Sequence, residues 1–300
     1  MKYLDKCKKR INFAPDQEQN NCEMKSMPDR DIVILNSETL NLLKNMNKIL
    51  LLLLIFCAGN SYAQQKDGIP NEIKKLKKAY PGEIIGYGKN YVLFNDSAKL
   101  IFDDGKAKSF IELLKNADIQ DMFTFPYPKG EINSAIKKNH DPGRIRNEEF
   151  MKKMYGKTAN EVQKNLVEIV WCPNLVNQKL KISSKNGVNK QLLAVSAELD
   201  QHPEWKEYLR SSGTFNWRVI SGTNRLSTHS FGTAIDLNTK YSNFWQWDCK
   251  CSDENVDLKY KNSIPQGIVA IFEKHGFIWG GKWYHYDTMH FEYRPELLLE

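Results

Sequence analysis

In Ser227-Thr228-His229-Ser230-Phe231-Gly232-Thr233-Ala234-Ile235-Asp236 an imidazole precedes a carboxylate by seven residues, with a glycine between them that lets the backbone turn. The carboxylate sits inside the apolar run Ala234-Ile235-Asp236-Leu237, where a lone charge is costly unless it is paired or bound to a metal. A divalent cation would settle it. Further on, Asp287-Thr288-Met289-His290-Phe291-Glu292 adds a second imidazole with a carboxylate three residues before it. His229, Asp236 and His290 make a two-imidazole, one-carboxylate set that suits zinc and leaves a fourth position open for water. An open position means catalysis, and Asp287 is then placed as the general base towards a water whose pKa zinc lowers to about 7.

Strands and turns must carry these groups together. Residues 215–220 and 234–237 read as strands, 265–274 as a helix started by proline, and 289–293 as a final strand. The implied fold class is α+β, a small, mostly antiparallel sheet with helices packed on one side, over a catalytic domain of residues 186–300. Residues 64–185 read as an N-terminal α/β extension packing on that core. Within it, 65–82 is a Lys-rich, flexible leader with a short helix, and short apolar runs in 83–104 mark a meander of strands. Ser109 caps a helix over 110–116. Two prolines and a glycine make 121–130, ending in Phe125-Pro126-Tyr127-Pro128-Lys129-Gly130, an ordered aromatic loop, and Asp141-Pro142-Gly143-Arg144-Ile145-Arg146 is a turn. Helices follow over 147–155 and 159–170, then a strand over 180–183 and helices over 189–199 and 203–209.

At the chemical residues the chain resembles the zinc D-alanyl-D-alanine carboxypeptidase family, which includes VanY-like enzymes and L-alanyl-D-glutamate endopeptidases. The hallmark Ser-x-His-x-x-Gly-x-Ala-x-Asp is present at 227–236, and the downstream Asp-x-x-His at Asp287 and His290. Gly276-Phe277-Ile278-Trp279-Gly280-Gly281-Lys282-Trp283 resembles the segment that precedes the last ligand in the endopeptidase-like branch. The resemblance implies a hedgehog-type fold, zinc ligands His229, Asp236 and His290, and Asp287 as base. It further implies an arginine that stabilises the oxyanion, with Arg218 the first choice and Arg225 the second. The implied substrate is the stem peptide of peptidoglycan, with the choice between D,D-carboxypeptidase and endopeptidase left open. Trp279, Trp283 and Ser227 are the candidate substrate contacts. A non-catalytic, zinc-containing cell-wall binding domain is the alternative of a different class, and an amidase on the same fold is a third.

Other side chains carry plainer expectations. His140, His202 and His275 read as surface residues, His285 as exposed rather than a contact of a ligand or the substrate, Trp245 and Trp247 as a packed loop rather than an aromatic lid, and Glu292 as either a partner of the neighbouring histidine or a solvated residue. Cys172 can bridge Cys249 or Cys251, or all three can be free.

The 300 residues and 41% hydrophobic content support a real core. A net charge of +7, from 43 basic and 36 acidic residues, is spread without the basic stripe that nucleic acid needs. A mean hydropathy of -0.56 excludes a multi-span membrane protein. The apolar run 49–58 is too short to span a bilayer and reads as the core of a signal peptide over 46–63, cleaved after Ala63. Residues 1–45 then read as an extension from a start assigned too early. A short membrane anchor and lipidation at Cys57, which Phe56 disfavours, are the rivals. Export to a periplasmic or extracellular, wall-associated location is the expectation, with membrane contact only through the uncleaved signal.

Overall fold

Residues 68–132 and 135–300 are described by the structure, a computed structural model. The extension 1–45, the signal peptide 46–63, its cleavage site and Cys57 lie outside the described residues. Helix α1 (Asn71–Ala79) places Ile73 and Leu76 one turn apart on a buried face, with its lysines turned to water. This part of the expected flexible leader is therefore docked. The meander forms as β1 (Ile84–Gly88), β2 (Tyr91–Phe94) and β3 (Lys99–Ile101), all antiparallel, with Ile84, Val92 and Phe94 turned inward. Helix α2 (Phe110–Asn116) opens with a capping box between Ser109 and Glu112. Helix α3 (Glu148–Tyr155) is capped by Asn147, whose side chain accepts from the Phe150 N–H at 2.7 Å.

The helix expected over 159–170 ends early. Helix α4 (Ala159–Lys164) gives way to strand β4 (Leu166–Trp171), which pairs along its whole length with β5 (Gln178–Ser183). Val167, Ile169 and Val170 are β-branched and prefer a pleated surface once a partner strand is present. Helix α5 (Val188–Leu199) buries Val188, Leu192, Val195 and Leu199 against β4, and a short α6 (Lys206–Leu209) follows.

Residues 215–220 do not form the expected strand; their one bridge joins Val219 to Leu226. Their backbone is committed instead to the turn that carries His229. The Asn216 N–H donates to the His229 carbonyl at 3.2 Å, and the Arg218 carbonyl accepts from the Ser227 N–H at 3.0 Å and the Ser230 hydroxyl at 2.9 Å. Beyond this come β6 (Ala234–Asp236), α7 (Trp245–Cys249), α8 (Gln266–Lys274), β7 (Phe277–Trp279) and β8 (His290–Tyr293). The last sheet has the order β6-β8-β7, antiparallel, with β8 central and wholly buried. The fold is thus α+β with three small antiparallel sheets.

One apolar cluster joins Ile73 of α1, Phe150 of α3, Val195 of α5, Phe272 of α8 and Phe291 of β8. Gly68–Glu300 forms a single compact unit, and the boundary read at 185/186 crosses continuous core. The aromatic loop is fastened across β7: the Tyr127 hydroxyl donates to Glu273 at 2.6 Å and accepts from the Trp279 N–H at 2.9 Å. Lys282, fully buried, ion-pairs with Glu273 and donates to the Pro128 carbonyl at 2.8 Å.

The cysteines follow neither expected pattern. Cys249 and Cys251 bridge each other, and Cys172 is free and buried, its thiol pushed up to about 12 by burial. Among the described residues no helix is long and apolar enough to cross a membrane. Because the thiolate is the reactive form, Cys172 is expected to resist alkylation at pH 8 in the native protein and to react only after unfolding. Peptide mapping of alkylated samples checks this; modification at native conditions would contradict its burial.

Candidate active site

Asp236 and His290 are directly paired residues of β6 and β8, so their side chains stand side by side on one face of the sheet. His229 arrives from a 3-10 turn over Thr228–Phe231, capped by the Ser227 side chain. Gly232 ends that turn in the left-handed region at φ 63°. A Cβ at Gly232 would collide with Leu166 of β4 and crowd Ser183 of β5, whose N–H donates to the Gly232 carbonyl at 2.9 Å. The glycine of the motif is therefore required twice, for its dihedral and for the close approach of the β4–β5 hairpin.

The three side chains converge. His229 Nε2 lies 3.1 Å from Asp236 Oδ1 and 3.2 Å from His290 Nδ1, and His290 Nδ1 lies 3.0 Å from Asp236 Oδ1. Donors set about 2.0–2.1 Å from a tetrahedral zinc would be about 3.3 Å apart, close to these edges.

Hydrogen bonding supplies the stronger test. His229 Nδ1 lies 2.8 Å from the Thr214 carbonyl, which can only accept, so Nδ1 holds the proton and Nε2 presents a lone pair. His290 Nε2 faces the Glu292 carboxylate at 3.2 Å and the Thr228 hydroxyl at 3.3 Å, which places its proton there and a lone pair on Nδ1. With the carboxylate oxygen, three lone pairs point at one spot. Such a set calls for a cation. Burial pulls the His290 pKa down, but Asp236 and Glu292 carry it up to about 10. Asp236 is held well below the usual carboxylate range by His229 and then His290, although burial opposes this.

Asp287 is the member of the group with an unsatisfied oxygen. Its Oδ1 is the one carboxylate oxygen among the described residues that is buried with no hydrogen bond. Burial first, and then the Asp236 charge, push its pKa up to about 7, with His290 and His229 opposing. A carboxyl poised there exchanges a proton near neutrality.

All four groups line a cleft of about 1470 Å³. Ile111 and Leu114 of α2 form part of one wall, the 218–228 segment another, and Trp245, Trp247 and Glu254 a third. Arg218 is exposed and donates to the Val219 carbonyl at 3.4 Å. Arg225 is half-buried and donates to the Arg144 carbonyl at 2.5 Å; among the described residues no carboxylate lies within ion-pair distance of it. Burial, and then Arg146 and Arg144, pull its pKa down to about 9. A guanidinium keeps its proton, so this environment is one that an anion would relieve.

The remaining expected contacts divide. Trp283 lines the cleft, its ring 5.6 Å from that of His290. Trp279 does not: it is core, stacked on Phe291, and its indole N–H donates to the Thr288 carbonyl at 2.9 Å. Ser227 borders the cleft with its hydroxyl engaged in capping. Trp245 packs as expected, whereas Trp247 is 57% exposed at the cleft.

His285 is buried, contrary to the surface reading. Its Nδ1 lies 2.6 Å from Asp141, its backbone N–H donates to the same carboxylate at 2.9 Å, and its ring stacks on Phe110. Asp141, Glu254 and His285 also converge closely enough to hold a metal. There the positive charge is already supplied, because Arg144 lies 2.6 Å from Asp141 and 2.7 Å from Glu254. Sequence reasoning missed this network; its one signal was the Asp141-Pro142-Gly143-Arg144 turn, and its partners lie more than a hundred residues away. Glu292 is the other decided case: it is fully buried against His290 and held down to about 2 despite burial, by His290, Arg146 and Arg294.

Residues 221–293 match the family model described as D-alanyl-D-alanine carboxypeptidase, which supports the resemblance read from the motif. No curated protein and no solved structure matches the chain.

A cation held by these three donors is expected to bind at about one per chain, by the coordination logic above. His229→Ala and Asp236→Ala should each lose it, while Asp287→Asn should retain it. Metal content by mass spectrometry checks this, and loss of the ion in Asp287→Asn would make that residue a ligand.

Proposed function

We propose that this chain is an exported, zinc-dependent peptidase that hydrolyses a peptide bond in peptidoglycan stem peptides. The observation that carries the reading is the convergence of three lone-pair donors in a cleft beside a buried carboxylate, Asp287, one of whose oxygens has no hydrogen bond. His229, Asp236 and His290 would hold the zinc, which when bound polarises the attacking water and the scissile carbonyl. Asp287 takes the proton of the attacking water and returns it to the leaving amine, a role that its elevated pKa supports.

Arg225 is the better oxyanion contact of the two arginines. It is half-buried at the cleft and free of a carboxylate partner among the described residues, whereas Arg218 is solvated and turned to the carbonyl of the next residue, Val219. Donors that are already desolvated and positioned stabilise developing charge most. Trp283 walls the substrate beside His290. The signal peptide read over 46–63 supports a wall substrate outside the cytoplasm. A module that only binds the wall would have no use for Asp287, since a buried carboxyl with one unsatisfied oxygen is a cost that catalysis explains.

Purified protein given a panel of defined muropeptides should release a shortened stem, identified by mass spectrometry, and lose that activity to a chelator. Zinc-loaded protein that cleaves no stem refutes the reading. Asp287→Asn is expected to lower kcat by about 10²–10⁴. Arg225→Met is expected to lower kcat/KM by about 10²–10³, with Arg218→Met far milder. The reverse order in steady-state kinetics would give the role to Arg218.

A further inference from the structure

Glu292 follows His290 by two residues on the central strand β8, so both side chains leave the same face. Its two oxygens are divided between the metal ligand and a pair of guanidiniums. Oε2 lies 3.2 Å from His290 Nε2 and 3.6 Å from Arg146 Nη1, and Oε1 lies 3.3 Å from Arg294 Nη1. All of these groups are buried or nearly so. Arg294 is steadied in turn by Glu296, which accepts from the Tyr80 hydroxyl at 2.6 Å just beyond α1.

The turn carrying Arg146 is shaped to this carboxylate. Gly143 has φ 99°, and a Cβ there would collide with Ile278 and come within 3.1 Å of Glu292 Oε1. Its carbonyl accepts from Arg146 at 3.3 Å and from Arg294 at 3.4 Å. Gly143, Arg146, Arg294 and Tyr80 all lie outside residues 221–293.

The geometry points to Glu292, clamped by Arg146 and Arg294, as the positioning residue that turns the Nδ1 lone pair of His290 towards the metal. This rests on the zinc reading above. A neutral imidazole can carry its proton on either nitrogen, and a proton on Nδ1 would remove the ligand. The Thr228 hydroxyl can donate or accept and so leaves the choice open. A carboxylate can only accept, so Glu292 demands the proton at Nε2 and frees Nδ1. On this account the Asp-Pro-Gly-Arg-Ile-Arg turn is part of the metal centre's support, although it lies some 80 residues before the first ligand in the chain.

Zinc affinity of the full chain, measured by competition with a chromophoric chelator and read beside thermal unfolding, tests this. Glu292→Gln keeps the shape but offers an amide that can donate to Nε2, and it should weaken zinc binding about 10- to 100-fold. Arg146→Met alters neither a ligand nor Glu292 and should weaken binding by about tenfold, with Arg146→Lys restoring most of the loss. If Glu292→Gln fails to fold, the Arg146→Met and Arg146→Lys pair decides alone. Wild-type protein that binds zinc while the folded variants match it within about twofold overturns this inference and leaves the zinc reading standing. Wild-type protein that binds no zinc overturns both.

Discussion

A carboxylate and two imidazole lone pairs that face one another at 3.0–3.2 Å repel unless a positive charge sits among them. Most of the described structure can be understood as what is needed to hold that arrangement. Strand pairing sets Asp236 opposite His290, and the glycine-terminated turn swings His229 over them. The Thr214 carbonyl and the Glu292 carboxylate each take a ring proton on the outer side. Repulsion at the centre is thus matched by directed hydrogen bonds at the periphery, an arrangement that could hold a metal ion.

The same charge balance explains why five arginines gather around the cleft and behind it. Arg146 and Arg294 neutralise Glu292, and Arg144 neutralises Asp141 and Glu254. Arg225 and Arg218 have no such partner and border the open space. A buried charge without a counterion is tolerated only where function or a ligand repays it. Asp287, with one unsatisfied carboxylate oxygen, and Arg225, with no carboxylate at ion-pair distance among the described residues, both line this cleft.

The segments before residue 186 take part in this physically. Tyr127 fastens its loop to β7, Leu166 packs under Gly232, and Asp141 anchors His285 beneath Trp245. One apolar cluster runs through both portions. The ligand-bearing sheet has three short strands, and only this surrounding core gives β8 complete burial.

What the sequence determined by itself was local or chemical in kind. The capping of α2, the meander and the helix ending at Lys274 were legible because each depends on neighbours a few residues away, and the motif residues that converge in the cleft were legible by their chemical type. A charged residue in an apolar run, as at Asp236, announces a partner without naming it. Tertiary structure alone decided the switch from helix to strand at Leu166, the dissolved strand at 215–220, the retreat of Trp279 into the core and the burial of His285 and Glu292. The deciding contacts lie beyond the local pattern, from the nearby β5 for Leu166 and the His229 turn for Arg218 to segments over a hundred residues away, Asp141 for His285 and Arg146 for Glu292. Propensity and spacing carry no information about such partners, because a hydrogen bond or an ion pair across a hundred residues costs the chain nothing that its local pattern records.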